Sequence, residues 1–256
     1  MSDPVLEIAA NSVASALAAE AGGAARVELC SALEVGGLTP SHAAIAMAQE
    51  RLGIPVHVLI RPRAGDFVFD HLECEVMRRD IEICKALGCA GIVIGALTAE
   101  ADVDVPRCRA LMEAAQGMSV TFHRAFDFAR DPERALESII ALGCNRLLTS
   151  GQQADALAGA PLIRTLIRQA NGRITVMPGG GITARNIAMI ADATGAREFH
   201  ASARRRFPTL MDHPPSTLGD MDDAHWQTDR TEVRARVDAL RTLASSPHPP
   251  RRNPSQ

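Results

Sequence analysis

The chain has 256 residues, of which 46% are hydrophobic and 22% are charged, and its formal net charge is -3. This length and composition are typical of one large α/β domain or two small ones. The balanced charge, the aromatic content of only 3% and the lack of any long apolar run argue against a nucleic-acid-binding surface and against a membrane span.

Short β-rich runs alternate with amphipathic stretches along the chain. The predicted strands are Val5–Ala9, Arg26–Cys30, Pro55–Arg61, Gly91–Gly95, Ser119–Arg124, Arg146–Ser150, Ile174–Met177 and Glu198–Ala201. The predicted helices between them are Ser12–Ala21, Ser41–Leu52, Leu72–Leu87, Val105–Ala115, Pro132–Leu142, Leu162–Ala170 and Thr183–Ala193. Eight successive βα units predict an α/β fold, a single (β/α)8 TIM barrel of parallel strands. A doubly wound open sheet is the alternative.

Several predicted helices have recognisable ends. Ser12, Asp131 and Thr183 each stand where an N-cap residue is favoured. Gly143 and Gly195 follow two of the helices, at the position where glycine commonly ends a helix.

The pattern breaks after the eighth strand. Residues 203–229 are rich in Pro and Asp and are predicted to form one long loop, which includes Met211, His213 and Trp226. Such a loop is either a lid over the catalytic face or a solvated insertion. Thr231–Leu243 is predicted to be the last helix. We therefore expect a barrel domain over residues 1–244 and a disordered Pro- and Arg-rich tail over residues 245–256.

Charged side chains stand at the carboxyl ends of the first three strands. Glu7, Glu28 and Arg61 are predicted to converge there, because adjacent strands are about 4.8 Å apart. Two carboxylates tend to share a proton, and an arginine would hold one of them ionised. This arrangement predicts an acid and a base for catalysis, with an ion network that closes the barrel mouth as the alternative.

The fifth strand ends in Thr121–Asp127, a stretch that turns from apolar to polar. His123 is predicted to face Glu7 across the barrel mouth, where an imidazole can shuttle protons or bind a metal. The neighbours Arg124 and Asp127 favour a functional role, and His123 and Asp127 complete the predicted catalytic set. A histidine that is only a hydrogen-bonded polar group is the alternative. His57, which lies in the middle of the third strand, is predicted to be a core histidine.

An anion site is predicted beside these catalytic residues. Arginines that follow a strand recognise carboxylates and phosphates, and glycines let backbone N–H groups approach an anion. The predicted site comprises Arg63, Ser150, Gly179, Gly180, Gly181 and Ser202. The alternatives are an exposed surface arginine and glycines that only permit a tight turn.

The six cysteines form no CxxC pair and predict no disulfide framework. Reduced thiols and the absence of an evident signal peptide predict a cytoplasmic protein. Cys30 is the one cysteine near the carboxyl end of a predicted strand. It is the candidate metal ligand, with a buried inert thiol as the alternative.

The sequence resembles the CutC family, which is named for copper homeostasis. The matching stretches, which lie between about Val5 and Ala203, are Arg26–Cys30, Gly36–Ser41, Arg61–Phe67, Thr121–Asp127 and Leu148–Gly151. The resemblance implies a cytoplasmic (β/α)8 barrel that handles copper, with copper as its ligand, and that assembles as a homodimer or homotetramer.

Two functions therefore follow from the sequence. The resemblance implies a copper-binding homeostasis protein, whereas the residues themselves favour an enzyme that performs acid–base chemistry on a small anionic or phosphorylated metabolite. A scaffold that works through its oligomeric surface is a third possibility, since barrels support many functions.

Overall fold

The computed structural model describes residues 4–212 and 224–245. The eight parallel strands are β1 (Val5–Ala10), β2 (Arg26–Leu29), β3 (Val56–Leu59), β4 (Gly91–Ile94), β5 (Ser119–Phe122), β6 (Arg146–Thr149), β7 (Thr175–Pro178) and β8 (Glu198–Ala201). The helices are α1 (Val13–Gly22), α2 (His42–Arg51), α3 (His71–Ala86), α4 (Val105–Ala114), α5 (Pro132–Leu142), α6 (Ala160–Ala170), α7 (Ile187–Thr194) and α8 (Arg230–Ser245).

The strands form a nearly closed barrel. Their hydrogen-bonded order is β7-β6-β5-β4-β3-β2-β1-β8, so each strand lies beside its neighbours in the sequence. A parallel bridge between Gly179 and His200 joins the two remaining edges. The predicted TIM barrel is confirmed, and the bridge rules out the open doubly wound sheet.

Both sides of each strand are buried, which explains the continuous apolar runs that predicted them. In β1, Leu6, Ile8 and Ala10 belong to the apolar core between the barrel and its helices. Glu7 and Ala9 alternate with them and point into the barrel, where Glu7 meets side chains of other strands.

An ion network fills the lower interior of the barrel, where Val, Ile and Leu are usual. Nε of Arg146 on β6 donates to Glu198 on β8 over 2.7 Å. These strands are not adjacent, so the two side chains meet through the barrel interior. Arg26 on β2 also donates to Glu198, over 2.9 Å, and its Nε binds Glu7. The lower interior is therefore polar, and these four charged side chains are paired with one another.

The predicted helix ends are confirmed in four of the five cases. Ser12 accepts a hydrogen bond from the N–H of Ser15, and Asp131 similarly caps α5. Gly143 and Gly195 both end their helices in the left-handed conformation.

The start predicted for α7 at Thr183 is wrong. This helix begins at Ile187, because the side chain of Asn186 accepts from the N–H of Thr183 over 2.8 Å and holds a separate turn. A turn therefore separates the glycines after β7 from the start of α7.

The prediction of one long loop over residues 203–229 is also wrong. Two antiparallel strands, β9 (Arg204–Phe207) and β10 (His225–Thr228), form there. Their pairing joins segments distant in sequence, so no local pattern indicated it. The carbonyl of Trp226 accepts from Asn11 over 2.7 Å, and Thr228 donates to the carbonyl of Ser202.

This hairpin is thus fixed to the barrel rim. Residues 213–223, which include His213, and the predicted tail after Ser245 lie outside the described residues. No helix within residues 4–212 or 224–245 combines the length and the apolar character that crossing a membrane requires.

Candidate active site

A cavity of about 410 Å³ opens at the carboxyl ends of the strands. This end of a TIM barrel is the catalytic face, and the volume is within the range of small-molecule pockets. Its ionisable lining residues are Glu28, His123, His200, Arg124, Arg204 and Arg236. Among the described residues that line the cavity, one acid thus faces two histidines and three arginines.

The carboxyl group of Glu28 is buried without a full set of partners. Glu28 is 5% exposed, and its Oε2 has no hydrogen-bond partner. Burial is the main cause that raises its pKa to about 7, and the negative charge of Glu7 adds to it against the opposing charge of His200. Glu28 can therefore exchange a proton near neutral pH, as a general acid or base requires.

Glu7 orients His200 from beneath the cavity. Nδ1 of His200 lies 2.7 Å from Oε1 of Glu7, while Arg26 binds the other carboxylate oxygen. Burial would raise the pKa of Glu7, but the His200 hydrogen bond and the Arg26 charge lower it. Burial would likewise lower the pKa of His200, but the charge of Glu28 and the bond to Glu7 raise it. Glu7 does not line the cavity, so His200 occupies the wall where Glu7 was predicted.

His123 is held in one orientation at the end of β5. It caps the short 3-10 helix Arg124–Phe128, and its Nδ1 accepts from the N–H of Ala125 over 3.1 Å. Its Nε2 is buried without a partner. Burial, and then the charge of Arg61, lower the pKa of His123 to about 3. A Cβ atom at Gly95 would lie 2.5 Å from the ring, so glycine is required there.

The predicted convergence of Arg61 with Glu7 and Glu28 is wrong. The Arg61 guanidinium donates to backbone carbonyls instead, and Arg26 is the arginine that pairs with Glu7. The strand register explains why Arg26, and not Arg61, binds Glu7, because Arg26 lies directly opposite Glu7 in the β1–β2 pair.

Arg61 organises the loops over the cavity. It donates over 2.7–3.1 Å to the carbonyls of Val35, Gly37 and Gly65. Its guanidinium lies 4.8 Å from the centroid of the Phe67 ring, which in turn lies 5.1 Å from the His123 ring. Phe67 is thereby held as an apolar wall beside His123.

Asp127 and Ser150 support the cavity from behind. The Asp127 carboxylate accepts from Ser150 and Gln152 backbone N–H groups and from the Thr149 hydroxyl, so it shapes the loop after β6. It also binds Arg124 over 2.8 Å, and Arg124 donates to the Ser150 hydroxyl over 2.8 Å. Neither Asp127 nor Ser150 lines the cavity, but both position the Arg124 guanidinium, which does.

Three of the residues predicted to bind an anion line the cavity. They are Gly180, Gly181 and Ser202. Gly180 and Gly181 have φ angles of 99° and 68°, a region that favours glycine. Within the described ranges, no acceptor is found for their backbone N–H groups. Gly179 instead forms the bridge that closes the barrel.

Arg63 lies away from the cavity on the outer surface. Its guanidinium binds Asp66 over 2.9 Å and Glu73 over 2.6 Å, both within one loop and the first turn of α3. The predicted role of Arg63 in the anion site is therefore not supported by its position.

Cys30 also lies outside the cavity wall. Its Sγ is 3.6 Å from the carbonyl oxygen of Ala10, and it packs against Leu59 and Val93. Burial, followed by the charge of Glu28, raises the pKa of the thiol. Cu(I) prefers soft ligands such as thiolates, but Cys30 belongs to no cluster of three His, Cys, Asp or Glu ligands within residues 4–212 and 224–245, so its position does not indicate a Cu(I) site.

One group of possible metal ligands remains. Single ligand atoms of Glu7, Glu28 and His200 lie within 4.8 Å of one another, and no other such group of three occurs in residues 4–212 and 224–245. These oxygen and nitrogen donors suit a divalent cation better than Cu(I). However, Arg26 already pairs with Glu7, and its positive charge opposes a cation there.

The predicted catalytic and anion-binding sets leave out four ionisable residues that line the cavity, namely His200, Arg124, Arg204 and Arg236. Alternation along β8 offered a signal for His200, since Glu198, His200 and Ser202 share one face of the strand. Arg236 gave none, because it reaches the cavity from α8, where it donates to the carbonyl of Ile182.

Comparison with known proteins identifies one family. Residues 4–205 match the model of the CutC family. A family protein CutC of Xanthomonas campestris is 54% identical over 237 residues, which cover 93% of this chain and 99% of that protein. One of Chromobacterium violaceum is 52% identical over 243 residues, which cover 93% and 98%.

A solved structure is also similar. It is that of CutC from Streptococcus agalactiae, which is named for copper homeostasis. The TM-score is 0.75 and the sequence identity 35%, and the match covers 78% of this chain and 98% of that one.

Proposed function

This chain belongs to the CutC family, and we propose that it binds a small anionic molecule in the cavity at the barrel mouth and performs acid–base chemistry on it through Glu28. The observation behind this proposal is the unpartnered Oε2 of Glu28 in a cavity that three arginines surround. A buried polar atom without a partner is costly, and a ligand bound in the cavity would supply that partner.

The charges of the cavity favour an anion. Arg124, Arg204 and Arg236 supply positive charge, while Glu28 is half protonated near pH 7. The Arg124 guanidinium lies close to Gly180, since its Nη1 is 3.6 Å from the place of a Cβ atom there. The backbone N–H groups of Gly180 and Gly181 would donate hydrogen bonds to the same anion.

Copper handling is the second candidate function. The name of the Streptococcus agalactiae relative and the Glu7, Glu28 and His200 cluster favour it. Glu28 and His200 would then hold a cupric ion, because carboxylate and imidazole are ligands that Cu(II) accepts. The buried Cys30 would take no part.

A thermal-shift experiment separates the two functions. The wild-type protein is heated with increasing inorganic phosphate, with Cu(II) and with Cu(I) kept reduced, beside Arg124→Met and Glu28→Gln. Arg109→Met is the matched control, since Arg109 is exposed on α4 and lies outside the cavity. Ligands that bind only the folded state raise the melting temperature with their concentration.

We expect phosphate to stabilise the wild type and Arg109→Met alike. Arg124→Met should weaken phosphate binding at least about tenfold, because a charge-assisted hydrogen bond contributes about 1.5 to 3 kcal/mol. Absence of any phosphate response, together with a copper response that Glu28→Gln abolishes, would replace this proposal by the copper function.

Two further expectations from the sequence stay proposals. We infer a cytoplasmic location from six free cysteines, which a reducing compartment favours. We also propose a homodimer or homotetramer, which light scattering of the purified protein tests directly. A monomeric mass across the working concentration range contradicts that assembly.

A further inference from the structure

We infer that the anionic ligand is a carbonyl compound with a hydrogen on the neighbouring carbon, that the Glu28 carboxylate removes this hydrogen as a proton, and that Nε2–H of His123 binds the carbonyl oxygen. This inference rests on the proposed anion site and adds the reaction class. It depends on two buried side chains, each with an unpartnered polar atom, that line one cavity.

The hydrogen bonding of His123 determines which nitrogen carries its proton. Nδ1 accepts from the N–H of Ala125 over 3.1 Å, so Nδ1 has no proton. A neutral imidazole must then carry its proton on Nε2. The pKa of about 3 keeps the ring neutral at physiological pH. His123 is therefore a fixed hydrogen-bond donor rather than a base.

His123 lines the same cavity as Glu28. His123 is 5% exposed, and its Nε2 meets no acceptor among the described residues. The ring packs against Phe67 on one side and against the backbone at Gly95 on another, which prevents rotation. A ligand oxygen in the cavity is the acceptor that would satisfy this donor.

Glu28 supplies the complementary base. The charged groups that face it are Glu7 on β1, Arg26 on β2 and His200 on β8, and His57 on β3 lies opposite it in register. The unpartnered Oε2 of Glu28 is the carboxylate atom that would take the proton. A carboxylate base and a neutral imidazole donor in one cavity are the pair that triosephosphate isomerase uses for such proton transfer.

The step balances without another reactant. The C–H bond breaks, its proton joins Glu28, and its electron pair forms a carbon–carbon double bond. The carbonyl electron pair moves to oxygen, where the enolate accepts the hydrogen bond from His123. Return of a proton from Glu28 to carbon regenerates a carbonyl compound. In D2O, the Glu28 proton exchanges with solvent, so the returned hydrogen is deuterium.

Deuterium incorporation tests the inference. Dihydroxyacetone phosphate, xylulose phosphate, pyruvate and hydroxypyruvate are incubated in D2O with the protein and followed by proton NMR. The variants are Glu28→Gln, which removes the base, and His123→Asn, whose carbonyl can still accept from Ala125 but which has no donor at the Nε2 position. Arg109→Met is the surface control.

We expect the wild type and Arg109→Met to exchange at least one of these compounds faster than buffer does. Exchange should fall at least about a hundredfold in Glu28→Gln and in His123→Asn. The inference fails if no compound exchanges, or if Glu28→Gln exchanges as fast as the wild type.

The phosphate-dependent rise in melting temperature shows whether the proton-transfer reaction alone is wrong or the proposed anion site is wrong as well. If phosphate stabilises the wild type and both variants but no exchange occurs, the anion site stands and the reaction class is wrong. If phosphate stabilises none of them, the anion site itself is wrong.

Discussion

Nδ1 of His200 lies 2.7 Å from Oε1 of Glu7, and the pair connects the ion network of the barrel interior to the cavity wall. Glu7 does not line the cavity, but it raises the pKa of His200, which does. It is thus a positioning residue, whose pKa the His200 hydrogen bond and then the Arg26 charge lower.

Glu7→Gln should lower the pKa of His200. The change removes a negative charge that favours imidazolium, while the glutamine oxygen can still accept from Nδ1. An NMR titration of the His200 ring in the wild type and the variant measures this. Glu75→Gln, on the outer surface of α3, should leave the His200 titration unchanged. An unchanged or higher pKa in Glu7→Gln contradicts the role assigned to Glu7.

Glu28→Gln should stabilise the protein more in alkaline than in acidic solution. The pKa of Glu28 rises on folding from its ordinary value of 4.5 to about 7, so the folded state holds the proton more tightly. Ionisation above pH 7 therefore opposes folding, and this penalty disappears as the pH falls toward 4.5. The variant lacks the penalty at every pH.

Urea unfolding of both proteins checks this pH dependence. We expect the advantage of Glu28→Gln over wild type to be on the order of 3 kcal/mol larger at about pH 8.5 than at about pH 4. Glu50→Gln, which alters an exposed carboxylate of α2, should show no such difference. A constant difference across this range is incompatible with a raised pKa at Glu28.

Glu198→Gln should destabilise the barrel interior. Glu198 binds both Arg26 and Arg146, so its neutralisation leaves two guanidinium groups in the interior without full compensation. We expect a loss of about 3 kcal/mol in the free energy of unfolding. Glu137→Gln breaks the exposed pair with Arg173 and should cost much less, because solvent screens exposed ion pairs. If both variants lose the same free energy of unfolding, the interior ion pairs contribute no more to stability than the exposed pair does.

Gly95→Ala should displace the His123 ring. The added Cβ would lie 2.5 Å from Cε1 and Nδ1 of His123, closer than such atoms can approach. Forcing the ring aside should cost about 1 to 3 kcal/mol and shift its NMR signals. In Gly53→Ala, the Cβ would meet only the end of the Glu20 side chain at 3.3 Å. A Gly95→Ala variant with wild-type stability and an unmoved His123 signal disproves the packing argument.

The alternation of residues along the strands made Glu28 and His123 predictable as residues of the barrel mouth. Their positions at strand ends follow from the parallel βα repeat alone. The partner of Glu7 could not be found in this way. Whether Arg26 or Arg61 lies beside Glu7 depends on the register between β1 and β2, which the stagger of the closed barrel determines.

Contacts between segments that are far apart in the sequence could not be predicted from it either. Arg236 reaches the cavity from α8, and Arg204 is placed there by a hairpin whose second strand contains Trp226. Neither segment has a periodic pattern that indicates its partner. The charge of the cavity therefore became evident from the fold, whereas its acid and its neutral histidine were visible as candidate residues beforehand.

The titration of the Glu28 carboxyl group is the most direct test of the proposed acid–base site. Carbon-13 NMR of protein labelled in its glutamate side chains gives this titration, and Glu28→Gln identifies the signal by its loss. We predict a midpoint near pH 7 for Glu28. A midpoint at or below the ordinary value of 4.5 would contradict the account, because Glu28 would then be an ordinary ionised carboxylate.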